Sequence, residues 1–290
     1  MSDPEPVAAL IPIERPRTRK DWHAVLRDRR IRPTRSMGQN FLVEPAVVHR
    51  IADVAAIGDG ELVMEIGPGM GILTRELLAR GATVVAVELD SELKHFLEHD
   101  LGSHERLTLV ERDARYIEIE DHVGERPYSV VANLPYSVAT VIIRHFLESE
   151  SPPQALHVMV QREVAERMTA DPPRMSLLAL ACQLYTDPKI AFIVPPDVFL
   201  PAPKVESAVV SMHVLPNVPL TQAQRDRLFQ LATMAFQRKR KTIANGLSQG
   251  LDRPKGELES VLSDSRIDPM RRPETLTVEE WMSLAIGMAE

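Results

Sequence analysis

Cysteine is nearly missing from this chain, which has one, Cys182, in 290 residues. Without a second cysteine no intrachain disulfide can form, and this composition fits a reducing compartment, so we expect a cytoplasmic protein. Cys182 directly follows the apolar run Leu177–Ala181, which is typical of a helix. We therefore interpret Cys182 as a buried structural thiol and not as a catalytic nucleophile.

Long apolar runs and metal-ligand spacings are also missing. No stretch approaches the roughly 20 apolar residues that a membrane-spanning helix needs. Residues 1–30 lack the apolar core of a signal peptide, and their acidic residues argue against a transit peptide. The nine histidines show no paired ligand spacing. We therefore expect no metal and no membrane partner.

The chain carries a net charge of −7, which at first argues against a nucleic-acid partner. The charges are unevenly distributed, however. Residues 1–35 contain nine Lys or Arg against five Asp or Glu, whereas residues 36–215 contain 14 against 26. Residues 216–290 contain 11 against 10. Because local basic clusters decide phosphate binding, the net charge does not exclude it.

A glycine-rich stretch, Glu65-Ile66-Gly67-Pro68-Gly69-Met70-Gly71, is the first informative motif. The apolar run before it predicts a buried strand, and residues 72–78 after it predict a helix. Glycines at alternate positions let a ligand lie against the main chain without an intervening Cβ. A glycine pattern alone is a weak signal, so an ordinary tight turn between strand and helix is an equally good interpretation of it.

The next unit favours nucleotide binding. A second predicted strand, residues 81–87, ends at Glu88, which lies 21 residues after Gly67. That is close to the spacing of about 20 at which an acid meets the ribose hydroxyls in dinucleotide folds. No arginine follows to accept a 2′-phosphate, which disfavours NADP. Glycines spaced Gly-x-Gly-x-Gly after an acid resemble the first motif of the S-adenosylmethionine (SAM) methyltransferases of Rossmann-like fold more than they resemble a dehydrogenase.

Strands and helices continue to alternate, which predicts an α/β fold with a largely parallel sheet and helices on both faces. Together with the glycine motif, this pattern resembles the Rossmann-like class I SAM methyltransferases. Further strands are predicted at 107–110, 128–132, 156–160, 189–194 and 205–214. Beyond Pro219 the apolar spacing is helical. We expect a mobile extension at 1–30, a SAM-binding catalytic domain at 31–215 and a small helical domain at 216–290.

The second informative motif is Asn133-Leu134-Pro135-Tyr136, directly after a predicted strand. The exocyclic amine of a base is a poor nucleophile, because its lone pair is delocalised into the ring. If the Asn133 side chain and the Leu134 carbonyl accept both amine hydrogens, they aim that lone pair at a methyl donor. Pro135 fixes the turn, and Tyr136 offers a face for base stacking. An ordinary Asn-x-Pro turn is the alternative interpretation.

Together these motifs resemble the KsgA (RsmA) family of ribosomal RNA adenine N6,N6-dimethyltransferases, and the resemblance covers nearly all of residues 32–285. The motifs that carry it are Gly38-Gln39-Asn40-Phe41-Leu42, Glu65 to Gly71, Glu88-Leu89-Asp90, Asp113-Ala114, Asn133 to Tyr136, Gln161 to Val164, Phe199 to Ser207, and Phe236 to Thr242.

The resemblance implies SAM as cofactor, with S-adenosylhomocysteine as product. The residues that it assigns to cofactor binding are Asn40, Leu42, Gly67, Glu88, Asp113 and Asn133. In this assignment Asn40 and Leu42 close over the cofactor and Gly67 meets its methionine end. Glu88 holds the ribose, and Asp113 binds the adenine amine. The residues alone also single out Glu88, Asp113 and Asn133.

The resemblance also implies two aromatic residues, Tyr136 and Phe199, that sandwich a flipped target adenine. Without the family resemblance, we would interpret Phe199 as a core aromatic residue beside a proline-rich loop. The implied substrate is 16S rRNA in the immature small ribosomal subunit, with two neighbouring adenines dimethylated at N6, and no DNA partner. We expect a monomer.

A cluster of four basic residues, Arg238, Lys239, Arg240 and Lys241, follows a predicted amphipathic helix and is a candidate for rRNA phosphate binding. A solvated helix end is the alternative. The loop at 171–175 is shorter than is usual in the family, so the resemblance assigns it no contacts. Residues 1–30 lie outside the region of resemblance, which therefore implies no role for them.

Two rival functions stay open. One is an Erm-type enzyme, which modifies one adenine of large-subunit rRNA. The other is a ribosome-assembly factor whose methylation is secondary. A DNA or protein amide N-methyltransferase is a weaker rival, because Leu134 and the downstream loops argue against it.

Overall fold

The computed structural model describes residues 18–28, 39–238 and 240–288. Its helices are Arg19–Asp28 (α1), Pro45–Val54 (α2), Ile72–Ala79 (α3), Ser91–Leu101 (α4), Glu120–Val123 (α5), Ala139–Glu148 (α6), Arg162–Met168 (α7), Leu177–Gln183 (α8), Gln222–Phe236 (α9), Ile243–Leu251 (α10), Lys255–Asp264 (α11) and Val278–Gly287 (α12). Its strands are Phe41–Leu42 (β1), Leu62–Ile66 (β2), Thr83–Glu88 (β3), Leu107–Glu111 (β4), Tyr128–Asn133 (β5), Ala155–Gln161 (β6), Thr186–Val194 (β7), Phe199–Leu200 (β8) and Ser207–Val214 (β9).

Seven strands form the main sheet, in the order β4-β3-β2-β5-β6-β9-β7. The four pairings from β4 to β6 are all parallel. Every residue of β2 is buried, as expected for a parallel strand with helices on both faces of its sheet. This architecture, with helices following it toward the C-terminus, confirms the predicted fold class.

The strand order reverses between β2 and β5. From β2 the chain moves outward through β3 to β4, and it then returns to β5 on the other side of β2. In open α/β sheets, ligands bind beyond the carboxyl ends of the strands at such a reversal. We therefore expect the ligand site at the carboxyl ends of β2, β3 and β5.

Helix ends follow the local chemistry of the sequence. Pro45 occupies the first turn of α2, where its missing N–H costs no hydrogen bond. Helix α12 begins with a capping box, in which the Thr277 hydroxyl accepts from the Glu280 N–H and the Glu280 carboxylate accepts from the Thr277 N–H.

The described residues form two compact units. One takes residues up to 162 together with 191–211, and the other takes 163–190 together with 212 onward. The core of the first unit contains Trp22, which is completely buried and has Val25 and Leu26 of the same helix nearby. The burial of Trp22 was not predicted from the sequence. Residues 1–17 and 29–30 of the predicted mobile extension lie outside the described ranges.

The second unit is built around α9, which contacts α8, α10 and α12. The helical apolar spacing that the sequence shows beyond Pro219 agrees with the apolar face of α9, in which Leu228, Leu231, Ala232 and Ala235 are all buried. At the end of α9, the Phe236 ring lies 5.7 Å from the Trp281 ring between centroids. Cys182 of α8 is also buried, in agreement with a structural role. In the described ranges no helix is long and apolar enough to span a bilayer.

Candidate active site

A cavity of about 270 Å3 lies where the sheet order reverses. The residues that line it come from the segment around β1, from the glycine loop after β2, from the end of β3 and from the turn after β5. They are Gln39, Asn40, Phe41, Leu42, Glu65, Gly67, Pro68, Gly69, Met70, Ile72, Leu73, Glu88, Leu89, Leu93, Asn133, Leu134, Pro135, Tyr136, Ser137 and Val138. The cavity thus joins the two informative motifs of the sequence.

The glycine loop needs glycine for both its conformation and its close contacts. Gly67 and Gly69 have φ angles of 68° and 58°, in the left-handed region that side chains rarely adopt. A Cβ on Gly69 would lie 3.1 Å from the ring of Phe41. A Cβ on Gly67 would lie 3.8 Å from the carbonyl oxygen of Asn133, so the glycine loop and the Asn133–Tyr136 turn approach each other here. Bare backbone therefore forms this wall of the cavity.

Glu88 is buried at the end of β3, where its carboxylate accepts three backbone N–H groups. Oε2 accepts from Gly69 at 3.2 Å, and Oε1 accepts from Leu89 and Asp90, both at 3.0 Å. Burial raises the pKa of Glu88, and the three N–H donors oppose that rise. A carboxylate held by its own loop can then present its remaining lone pairs to a ligand's hydroxyl groups.

Glu65 is a second buried acid in the same wall, and it is 2% exposed. Burial raises its pKa to about 8, the charge of Glu88 adds to the rise, and Thr74 on α3 opposes it. Within the described ranges, neither Glu65 Oε2 nor Thr74 Oγ1 has a partner of good hydrogen-bond geometry. The sequence analysis placed Glu65 in the glycine motif but assigned it no role. An acidic residue within an apolar strand was the feature that could have marked it as a candidate site residue.

A short segment, residues 39–42, forms one side of the cavity and is attached at several points. The Gln39 amide donates to Asp90 Oδ2 at 3.0 Å, and the Asn133 amide donates to the Asn40 carbonyl at 3.3 Å. Residues 41 and 42, which form β1, pair with β8, so that Leu42 lies opposite Phe199. We call residues 39–42 the strap. Asn40 and Leu42, both predicted to bind cofactor, line the cavity from the strap.

The turn Asn133–Tyr136 is fixed by hydrogen bonds on each side. The Leu134 N–H donates to Met159 on β6 at 3.2 Å, and the Pro135 carbonyl accepts from the N–H groups that open α6. The Tyr136 hydroxyl lies 2.6 Å from Ser207 Oγ, and burial raises the pKa of Tyr136, so the ring stays neutral. All four residues line the cavity. Because its Nδ2 donates to Asn40, Asn133 has Oδ1 as its acceptor.

Of the residues predicted to contact the cofactor or the target base, Asp113 and Phe199 do not line this cavity. Asp113 is ion-paired with Arg115, whose Nη2 lies 2.5 Å from Asp113 Oδ2, and this pairing lowers the pKa of Asp113. Phe199 is completely buried in the core of the first unit. In this conformation Phe199 offers no free face for stacking, and its role stays a prediction, as does that of Asp113.

In the basic cluster, Arg240 and Lys241 are exposed, whereas Arg238 is half-buried and its guanidinium donates to the Met234 carbonyl. Lys239 lies outside the described residues. No group of three or more His, Cys, Asp or Glu within the described ranges could hold a metal ion.

The model of one protein family, described as "Ribosomal RNA adenine dimethylase", matches residues 31–290. The chain is 40% identical over 264 residues to the ribosomal RNA small subunit methyltransferase A of Alkaliphilus oremlandii (strain OhILAs), and the match covers 89% of this chain and 92% of that relative. A crystal structure of the 23S rRNA methyltransferase ErmE is 26% identical with a TM-score of 0.68, and the match covers 87% of this chain and all of that one. A dimethyladenosine transferase from Plasmodium falciparum has the same fold, with 23% identity, a TM-score of 0.72, and coverage of 84% and 95%.

Proposed function

The chain belongs to the ribosomal RNA adenine dimethylase family, and on this premise we propose that it dimethylates N6 of two adjacent adenines near the 3′ end of 16S rRNA. The substrate is the small ribosomal subunit during its assembly, and the methyl donor is SAM. One observation carries the proposal: a single cavity joins the glycine loop and Glu88 to the Asn133–Tyr136 turn. A nucleoside cofactor and a target base can therefore meet there.

The residues of the cavity fit SAM by their chemistry. Bare backbone at the glycine loop leaves room for a ligand against the main chain. Glu88 has the acceptor groups that ribose hydroxyls need, and Glu65 has a buried oxygen without a well-aligned partner among the described residues. Asn40 and Leu42 of the strap would cover the bound molecule. SAM, when bound, supplies a methyl group on a sulfonium, which is reactive without help from a metal or a strong base.

The protein's own contribution is positioning. Asn133 Oδ1 and the Leu134 carbonyl accept the two hydrogens of the adenine amine, so that its nitrogen lone pair points out of the ring plane. The turn is held from both sides, so these acceptors are in place before the base arrives. That nitrogen would accept the methyl group as the bond between the methyl carbon and the sulfonium breaks, the amine would lose one proton to solvent, and S-adenosylhomocysteine would be the leaving product. Tyr136 provides a neutral ring for stacking, which offsets part of the cost of flipping the base.

Three further assignments complete the proposal. Phe199 stacks on the other face of the adenine, which requires it to leave the core position that it has in this conformation. Asp113 binds the adenine amine of the cofactor, which requires one carboxylate oxygen to share its bond to Arg115 with the ligand. The basic cluster, Arg238, Lys239, Arg240 and Lys241, contacts rRNA phosphates.

A second candidate function has a specific observation in its favour. The similarity to the 23S rRNA methyltransferase ErmE covers the whole of that structure. The greater identity to a small-subunit methyltransferase favours 16S rRNA. An assembly factor whose methylation is secondary is a further alternative, which is compatible with the same site.

The test is methyl transfer from labelled SAM to small and large subunits, each isolated without its own adenine methylation. We expect label in the small subunit alone. Label in the large subunit alone would indicate an Erm-type enzyme. An enzyme that binds both SAM and the small subunit but transfers no label would favour the assembly factor.

A further inference from the structure

Two short stretches at strand ends have no role in the proposed reaction, although both lie beside the turn that receives the target base. One is residues 161–162, where β6 ends, and the other is residues 206–207, where β9 begins. In the main sheet β6 lies between β9 and β5, the strand that leads into the Asn133–Tyr136 turn. Residues at these strand ends are therefore placed to support that turn.

Ser207 is a polar residue in an otherwise apolar part of β9, and it is completely buried. Its Oγ lies 2.6 Å from the hydroxyl oxygen of Tyr136. Among the described residues, neither hydroxyl has another hydrogen-bond partner. Burying a hydroxyl group is costly unless it is hydrogen-bonded, so the Ser207 side chain is accounted for by Tyr136 alone.

We propose that Ser207 is a positioning residue for the target adenine, because its hydroxyl holds the Tyr136 hydroxyl and thereby fixes the ring on which the base stacks. This inference rests on the proposed function, since it takes Tyr136 as the stacking surface. Ser207 does not line the cavity, so it touches neither the cofactor nor the base. It acts only through the ring of Tyr136.

The hydrogen bond fixes the part of Tyr136 that the turn leaves free. The turn holds the backbone of this residue, but the half-buried side chain can still rotate about two bonds. A hydrogen bond at the far end of the ring prevents these rotations. Both the stacking of the base and the alignment of its amine with the methyl donor depend on where the ring lies. Holding the ring therefore speeds the reaction without any contact to the reacting atoms.

Ser207 itself belongs to a firmly held part of the chain. The Arg162 N–H donates to the Glu206 carbonyl at 3.0 Å, and the Arg162 guanidinium donates to the Glu206 carboxylate at 2.8 Å. The exposed ion pair contributes little by itself, but the backbone bond fixes residue 206 against the end of β6. The three residues of β9 that follow Ser207 are completely buried. This support keeps the serine hydroxyl in place, as a positioning residue requires.

The experiment measures single-turnover methyl transfer to small subunits that lack this methylation, with both enzyme and SAM in excess. Ser207→Ala should lower the rate about five- to tenfold, because it removes one hydrogen bond. Isothermal titration should give the wild-type Kd for SAM, because Ser207 does not line the cavity. Ser211→Ala is the matched control and should keep the wild-type rate. It makes the same substitution on the same face of β9, at a half-buried residue that does not line the cavity either.

A double-mutant cycle separates positioning through Tyr136 from a general effect on packing. Tyr136→Phe keeps the ring but loses the hydroxyl, and it should lower the rate by a factor similar to that of Ser207→Ala. In the Tyr136→Phe protein, Ser207→Ala should cause almost no further loss. Ser207→Thr keeps a hydroxyl at a strand position, where threonine is favourable, and it should retain most of the wild-type rate.

A wild-type rate for Tyr136→Phe would overturn the inference, even if Ser207→Ala fails to fold. Additive losses in the double variant would overturn it as well, because Ser207 would then act independently of the Tyr136 hydroxyl. An equal loss in Ser211→Ala would overturn it by showing that the packing of β9 is responsible. These results leave the proposed function intact, since wild type still transfers methyl groups. If wild type methylates neither subunit, the proposed function fails, and the inference fails with it.

Discussion

Glu65 and Glu88 lie in one cavity wall, but their surroundings differ. Glu88 accepts three backbone N–H groups, which stabilise its charge, whereas Glu65 Oε2 has no well-aligned partner among the described residues. Glu88 could be identified from the sequence, because the spacing from a glycine loop to a ribose-binding acid is regular. The sequence assigned no role to Glu65, because the role of this residue depends on which groups surround it in the folded structure.

The raised pKa of Glu65 makes the stability of the protein depend on pH. Its pKa in the folded state is about 8 against an ordinary value of 4.5, so its contribution to stability is complete below about pH 4.5 and is lost as pH rises through 8. Between pH 5.5 and 8.5 we expect wild type to lose a few kcal/mol of unfolding free energy relative to Glu65→Gln. Urea denaturation of both proteins at the two pH values measures this. A difference that does not change with pH would show that Glu65 is ionised throughout.

Asn133 gives the sharpest test of the positioning mechanism. Asn133→Ala removes one of the two acceptors for the target amine, and we expect kcat to fall roughly 100-fold or more. Binding of the small subunit should change little, because Asn133 is not among the residues that we propose to contact phosphate. Single-turnover transfer rates with SAM in excess separate the chemical step from binding.

The matched control for this variant is Asn217→Ala, which changes an exposed asparagine that does not line the cavity. It should keep wild-type activity. A fall in the single-turnover rate of Asn133→Ala of less than threefold would contradict the role given to Asn133.

Among the strands and helices, the sequence predicted the strands of the main sheet and those helices that have clear apolar spacing, such as α3 and α9. It did not predict the pairing of β1 with β8, because each of these strands has two residues and neither shows a periodic pattern. Their pairing depends on contacts between distant parts of the chain. The strap is therefore a feature that only the folded structure reveals.

The strap gives a prediction for cofactor binding. The Gln39 amide donates to Asp90 Oδ2, and this bond helps to hold Asn40 and Leu42 at the cavity. Gln39→Ala should weaken SAM binding roughly tenfold, because it removes a hydrogen bond to a charged acceptor. Isothermal titration measures the Kd.

The control for this prediction is a double-mutant cycle with Asp90→Asn. Asparagine still caps α4 but no longer offers a carboxylate to Gln39. The two single variants should weaken binding by similar factors, and the double variant should be little worse than either one. Fully additive effects would show that the Gln39–Asp90 bond does not hold the strap.

Across the whole chain, the net charge is positive in residues 1–35 and 216–290 and negative in residues 36–215. Replacing Arg238, Lys239, Arg240 and Lys241 with Gln should weaken binding of the small subunit. It should also make the binding less dependent on salt, by roughly one unit of log–log slope for each phosphate that is no longer bound. Filter binding at several salt concentrations measures both effects.

The matched control for the basic cluster replaces four other cations that solvent reaches, each of which is ion-paired in the structure: Arg144, Lys189, Arg253 and Lys255. This variant has the same net charge as the cluster variant, and it should bind with nearly the wild-type salt dependence. If both variants lose affinity and slope equally, net charge explains the binding and the cluster has no specific role.

Dimethylation of two neighbouring adenines of 16S rRNA by one cavity can be measured directly. Small subunits that lack this methylation are incubated with the enzyme and SAM, and their 16S rRNA is analysed by nucleoside and fragment mass spectrometry. We expect N6,N6-dimethyladenosine at two adjacent positions near the 3′ end, and none with Asn133→Ala. Modification of a single adenine, or of 23S rRNA in a parallel incubation, would contradict the proposed function.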